Sequence, residues 1–165
     1  AKLKILGLDY DIIGEEKRKL KNEFGDFRSP WERFYMWRQQ EREELRSTAA
    51  NGFITDFPLF QFYLQARRHA EEPRDQLAVR ELFRMCMEIE NRYSLIIVAN
   101  NPDEIPYKTD GARVANEEDA RNRHREIRVF LEHFWPKKLL FVEGEADQRL
   151  AQVLQKLEAM RAAAR

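Results

Sequence analysis

The stretch GFITDFPLFQFY, Gly52 to Tyr63, changes its apolar period part-way along. Phe53, Ile54 and Thr55 are β-formers with no polar face, the pattern of a strand buried on both sides of a parallel sheet. Asp56 closes that run. Pro58 suits the start of a helix, and Leu59, Phe60, Tyr63 and Leu64 follow at helical spacing. The segment therefore predicts a strand that ends on a carboxylate and turns directly into a helix. A carboxylate at that turn lies on the carboxyl edge of the sheet, where open α/β folds bind their ligands. The plainer alternative, equally weighted on these residues alone, is that Asp56 caps the helix.

Outward from this stretch the chain alternates strand and helix. Leu8 to Ile13 reads as a first strand and Glu15 to Phe24 as a short charged helix ending at Gly25. Ser29 and Pro30 open a long helix to about Ser47, with Trp31, Phe34, Tyr35 and Arg38 along one face. After the Pro58 to His69 helix, Pro73 and Asp75 start another, whose apolar face is expected to be Leu77, Leu82, Met85, Cys86 and Ile89. Ser94 to Ala99 reads as a second fully buried strand. Leu139 to Val142 is the last strand and Ala146 to about Met160 the last helix, with Leu150, Val153, Leu154, Leu157 and Met160 inward. Strands separated by helices mean βαβ units, so the expected class is α/β, three layers, a parallel sheet with helices on both faces.

Composition bounds the function. The 165 residues are one domain's worth, enough to bury about 70% of the unfolded surface. Lys plus Arg number 29 and Asp plus Glu number 29, so no global field favours nucleic acid or membrane. The basic residues are interleaved with acids and lack an aromatic platform, so nucleic acid is not expected as a partner. The single Cys86 sits in an apolar helical run, which excludes a disulfide framework and fits a reducing cytosol. No run approaches ~18 apolar residues, so no membrane partner is expected. His69, His124 and His133 share no spacing with carboxylates that suggests zinc.

Residues 100–128 form the second informative region, expected as a lid. The loop NNPDEIPYKTDGARVAN carries Asp110, Gly111 and Arg113, and the helix after it carries Arg121, Arg123, Arg125 and Arg128. That helix buries Ile127, Phe130, Leu131 and Phe134, and extending the stripe back by three and four residues points Arg123 and His124 over the sheet edge, with Arg125 and Arg128 off it. An arginine above a crevice grips phosphate bidentately and steadies the charge of phosphoryl transfer. A solvated basic helix balanced by Glu117, Glu118 and Glu126 is the plainer reading of any single arginine.

Three segments in order, FITDFPLFQFY, RYSLIIVANNPDEIPYKTDGAR and EADQRLAQVLQKL, resemble the P-loop kinase family that includes the ribosylnicotinamide kinase domain of bifunctional NAD regulators, together with related AAA-type ATPase-like proteins. Glu15 and Arg18 also match a Glu-x-x-Arg that follows the second strand of this group. The resemblance implies ATP and Mg2+ as cofactors and phosphoryl transfer to a small nucleoside-like or nucleotide acceptor such as nicotinamide riboside. It implies Asp56, Arg113 and Arg123 as catalytic residues, Asp56 also as the magnesium residue through water, and Arg113, Arg121 and Arg123 on the ATP phosphates. Glu15, Arg18 and Asp110 fall on the acceptor side, with Trp31 and Tyr35 as stacking surfaces. Core packing is the favoured expectation for those two aromatics.

One departure is large. The family's phosphate loop, Gly-x-x-x-x-Gly-Lys-Ser/Thr, is absent, and the six glycines include no Gly-Lys pair. Ala1 to Leu6 reads as the last turns of the helix that such a loop feeds. In P-loop kinases the first strand lies mid-sheet, in the order 2-3-1-4-5, so the expectation is roughly 10 to 25 further residues of strand and loop upstream. An ATPase or switch on the same fold, and a degenerate non-catalytic module, are the alternatives to a kinase.

Overall fold

The computed structural model describes residues 8–14, 29–99 and 117–163. It is mixed α/β, and the chain divides into two compact units, Ala1–Ile89 and Glu90–Arg165. Each unit holds one parallel pair of strands.

In the first unit β1 (Asp11–Ile13) pairs with β2 (Phe53–Thr55) in the register Asp11↔Phe53, Ile12↔Ile54, Ile13↔Thr55. The strand expected from Leu8 begins only at Asp11. The residues before it hold a loop instead: Asp9 accepts the Ala50 N–H on its side chain and the Asn51 N–H on its carbonyl, both at 3.0 Å. Asp11 Oδ2 takes the Ser47 hydroxyl at 2.9 Å and the Thr48 and Ala49 N–H groups at 3.0 and 3.2 Å. Gly52, at φ +88, then turns its carbonyl onto the Asp11 N–H at 3.0 Å and starts the ladder.

Helix α1 (Glu32–Leu45) starts where Ser29 and Pro30 predict. The Glu32 carboxylate reaches back to the Ser29 N–H at 2.8 Å and Ser29 Oγ accepts the Trp31 N–H, the reciprocal bonds of a capping box shifted by one position. Its inner face differs from the expected one. Arg33, Met36, Trp37, Gln40 and Glu44 are buried, a stripe at i, i+3, i+4, i+7 and i+11, while Trp31, Tyr35 and Arg38 face out. Trp31 and Tyr35 are 46% and 47% exposed, which overturns the expectation of core packing for both. Three polar residues lie inside instead, and of these Gln40 and Glu44 are joined by a hydrogen bond.

Helix α2 (Phe60–Arg68) packs against both α1 and α3 (Asp75–Glu88). Between them Trp37, Leu59, Phe60, Phe62, Leu64, Leu82 and Cys86 are fully enclosed. Removing such side chains from water is the main driving force here, about 1.5–3 kcal/mol for each Leu or Phe. Phe57 and Phe62 meet edge-on at 5.0 Å, which fixes how the chain enters α2. The α3 stripe is Asp75, Ala78, Val79, Leu82, Met85 and Cys86. Leu77, expected inside, is 53% exposed because it lies two residues from the nearest stripe position before it and belongs to neither turn's inner row.

In the second unit β3 (Ile96–Ala99) pairs in parallel with β4 (Leu139–Val142), Ile96 opposite Leu139 and Ala99 opposite Val142. Short 3-10 turns at Glu90–Arg92 and Pro136–Lys138 precede the two strands. Between them runs α4 (Glu117–Phe134), with Glu117, Glu118 and Asp119 complementing the dipole at its start. Phe130 sits 5.0 Å from Phe134 and edge-on to Trp135 at 5.6 Å. Helix α5 (Ala146–Ala163) contacts β4 and buries Val153, with Leu150, Leu154, Leu157 and Met160 half-buried. The β3 run is not enclosed on both faces: Ile96 is buried but Ile97 is 42% exposed. One neighbouring strand and the described helices cover too little of it. No helix among the described residues is long and apolar enough to cross a membrane.

Candidate functional site

Because β1 and β2 run in parallel with Ile13 opposite Thr55, Gly14 and Asp56 leave the sheet together at its carboxyl edge. The turn that carries Asp56 is fixed from below. Thr55 Oγ1 accepts the Phe57 N–H at 3.2 Å and the buried Gln40 Nε2 at 3.1 Å. Gln40 in turn lies 3.5 Å from the buried Glu44 carboxylate, to which it donates. The polar side chains inside α1 thus reach across to the last residue of β2 and hold its hydroxyl as an acceptor. Thr55, not Asp56, makes the local side-chain turn.

Asp56 itself is exposed, and no described residue hydrogen-bonds or ion-pairs with it. The reading of Asp56 as a helix cap fails, since α2 starts from Leu59 with no side-chain cap. An exposed carboxylate with open lone pairs, on a turn locked by its neighbours, can accept a proton or bind a cation through water. No group of three or more His, Cys, Asp or Glu that would hold a metal occurs among the described residues. Magnesium needs no such cage, being bound by one or two carboxylates together with substrate phosphates, so a lone Asp56 fits that ion better than it fits calcium or zinc.

In the second unit α4 presents its arginines differently from the wheel. Arg123 is exposed without a described partner. Arg121 bonds Glu117 Oε1 through Nη2 at 2.8 Å, one turn back along the same helix. Arg128, expected off the sheet, lies over it: its guanidinium is 4.9 Å from the centre of the Phe141 ring on β4 and its Nε donates to Glu132 at 2.8 Å. His124 is half-buried beside it. Desolvation, and next the Arg128 charge, hold its pKa below the ordinary 6.5, so it is neutral at pH 7. Arg125 donates to Asn122 at 3.0 Å.

Asp56, Trp31 and Tyr35 thus belong to the first unit and Arg121 and Arg123 to the second. Glu15, Arg18, Asp110 and Arg113, and the loop part of the expected lid, lie outside the described residues. The residues that sequence reasoning missed are Gln40, Glu44 and Arg33. The signal was present as their i, i+4 and i+7 spacing with Met36 and Trp37, masked by their polarity. Arg33 is enclosed, its pKa lowered chiefly by desolvation, with Nη1 on the Met36 sulfur at 3.2 Å. Burial also pushes the Cys86 thiol far above its ordinary range, so it is no nucleophile.

Comparison with family models, with curated proteins and with solved structures returns no match for this chain.

Proposed function

We propose that the chain transfers the γ-phosphoryl group of ATP to a hydroxyl of a small nucleoside-like or nucleotide acceptor, of the class to which nicotinamide riboside belongs, on a three-layer P-loop-type sheet. The observation that carries this reading is the exposed Asp56, delivered by β2 to the carboxyl edge of a parallel strand pair and held there by the Gln40–Thr55–Phe57 bonds. The strand pairing supports the same reading. β1–β2 and β3–β4 are both parallel pairs, the pairing that a parallel α/β sheet is built from.

In this mechanism Asp56 accepts the acceptor hydroxyl's proton as its oxygen attacks the γ-phosphorus and the bond to ADP breaks. Magnesium, when bound near Asp56 and the phosphates, supplies charge neutralisation of the β and γ oxygens. Arg113, Arg121 and Arg123 are assigned to the ATP phosphates by the resemblance, and Glu15, Arg18 and Asp110 to the acceptor. The exposed faces of Trp31 and Tyr35 suit ring stacking better than enclosed ones would. The missing Gly-Lys pair favours a second reading, a non-catalytic module of the same fold.

The test is Asp56→Asn in the native polypeptide, with ATP consumption and acceptor phosphorylation followed separately. The expected result is a kcat lower by about 10²–10⁴ with an unchanged unfolding midpoint, since proton transfer contributes that much and Asp56 is exposed. Unchanged turnover removes Asp56 from the chemistry.

A further inference from the structure

Opposite the buried stripe of α1 lies an outward one. Trp31, Tyr35, Arg38, Arg42, Leu45 and Arg46 are all exposed, and at about 100° per residue they fall within an arc of about 100° on the side away from Gln40. Trp31 precedes the first helical residue but has helical φ and ψ of -65 and -34, so it continues the stripe. Along the axis the stripe spans about 22 Å, the two rings about 6 Å apart at one end and the arginines following every 4.5 to 6 Å or so. Phe34, half-buried, braces the Trp31 ring at 5.8 Å and an interplanar angle of 31°.

Acids alternate with these arginines in sequence, but the helix sorts them by face. Glu44 is buried, and the Glu41 side chain is 16% exposed. Glu32 turns back to the Ser29 N–H. Arg38 pairs with Glu41 at 2.7 Å and Arg46 with Glu43 at 2.9 Å, both three residues apart on the same helix. Exposed pairs of this kind are weak in water, so a phosphate can share either guanidinium with its carboxylate. Arg42 has no hydrogen-bond or ion-pair partner among the described residues and is open to a phosphate outright. The aromatic platform that the linear sequence lacks is thus assembled by the helix, with positive charge in line with it. A lipid surface is a poorer match, because interfacial helices bury a wide apolar face and Leu45 is the one aliphatic residue here. Rings followed by guanidiniums suit a single strand, whose bases stack on aromatic faces whatever their identity while its phosphates meet cations.

We infer that the outward face of α1 binds single-stranded nucleic acid without sequence preference, its bases on Trp31 and Tyr35 and its phosphates on Arg38, Arg42 and Arg46. The inference does not rest on phosphoryl transfer: bases of the strand occupy the two rings that the proposed function gives to the acceptor.

The experiment titrates the full chain into a fluorescein-labelled oligothymidylate of about 12 nucleotides, without ATP, and follows anisotropy between about 50 and 200 mM salt. The expected result is saturable binding that Trp31→Ala with Tyr35→Ala weakens at least about tenfold, and that a duplex of the same length shows at least about fivefold more weakly. Arg38→Ala, Arg42→Ala and Arg46→Ala together should flatten the slope of log K against log salt by about 2, from about 0.7 for each phosphate contact. Trp31→Phe with Tyr35→Phe keeps both stacking faces and should restore most of the affinity, which separates lost stacking from lost folding. The inference is overturned by unchanged anisotropy at about 100 µM chain, by affinity or salt slope indifferent to these variants, or by a phenylalanine pair that binds no better than the alanine pair. Equal binding of the duplex overturns it, as does competition by free thymidine monophosphate at the same molar concentration, since the rings then serve a single nucleotide. Tighter binding to phosphatidylserine vesicles, lost in the same variants, overturns it in favour of a membrane. None of these readouts needs ATP turnover, so they stand or fall apart from the Asp56 chemistry.

Discussion

Replacing Gln40 by leucine tests how the Asp56 turn is held. The side chain is fully enclosed, donates to Thr55 Oγ1 at 3.1 Å and lies 3.5 Å from Glu44 Oε1. Leucine is close in size, so no large cavity forms, and its extra apolar burial returns about 1 kcal/mol. Against this stand one neutral hydrogen bond, about 1 kcal/mol, and a buried carboxylate that loses a donor, about 1–3 kcal/mol. The net expectation is a loss of about 2 kcal/mol, or a urea midpoint lower by roughly 1 M for an m-value near 2 kcal/mol/M. Trp37, wholly buried one turn before, reports the transition by fluorescence. Gln40→Glu supplies a signed control. A new carboxyl beside Glu44 has a raised folded pKa, so its stability is near wild type at about pH 4 and is lost as pH rises toward 7. A Gln40→Leu midpoint within about 0.2 M of wild type, or a Gln40→Glu variant insensitive to pH, refutes the Gln40–Thr55 link as the support of the turn.

Two further outcomes test the packing and the second unit. Leu82→Ala should cost about 3–4 kcal/mol and Leu77→Ala under about 0.5 in urea unfolding, because Leu82 is fully enclosed and Leu77 half in solvent; equal losses would restore the face expected from sequence. The lowered pKa of His124 means its folded form resists protonation, so its contribution is intact above pH 6.5 and lost as pH falls below it. Thermal unfolding between pH 7.5 and 5 should therefore fall less steeply in His124→Gln than in wild type, and an identical slope would contradict the desolvation argument.

Where sequence reading succeeded, one physical signal dominated. Leu139 to Val142 is strand over those four residues, because an apolar run bounded by lysines and by Glu143–Gly144 admits little else. The Phe53 to Asp56 strand and the following helix were legible because Pro58 separates two periods. The face of α1 was not. Its aromatics outweighed Arg33, Gln40 and Glu44 on any hydrophobic wheel, yet Gln40 donates to Thr55 and to Glu44 inside, and a satisfied polar group is buried at little cost. Leu8 to Tyr10 failed likewise, since Asp9 was counted as a strand position when its side chain and carbonyl hold the Ala50 and Asn51 N–H groups. At the candidate site the position of Asp56 followed from sequence, whereas its support by Thr55 and Gln40, 15 residues apart, needed the tertiary contact. On α4 the helical wheel set Arg128 off the sheet, whereas its guanidinium lies against Phe141 of β4.

Phosphoryl transfer is tested by giving γ-labelled ATP with magnesium to the native polypeptide together with a panel of nucleosides, nucleotides and nicotinamide riboside. Label is expected on one acceptor in equal amount to the ADP formed, and Asp56→Asn is expected to abolish it. Label released only as inorganic phosphate, or no ADP formed with any acceptor, would contradict it.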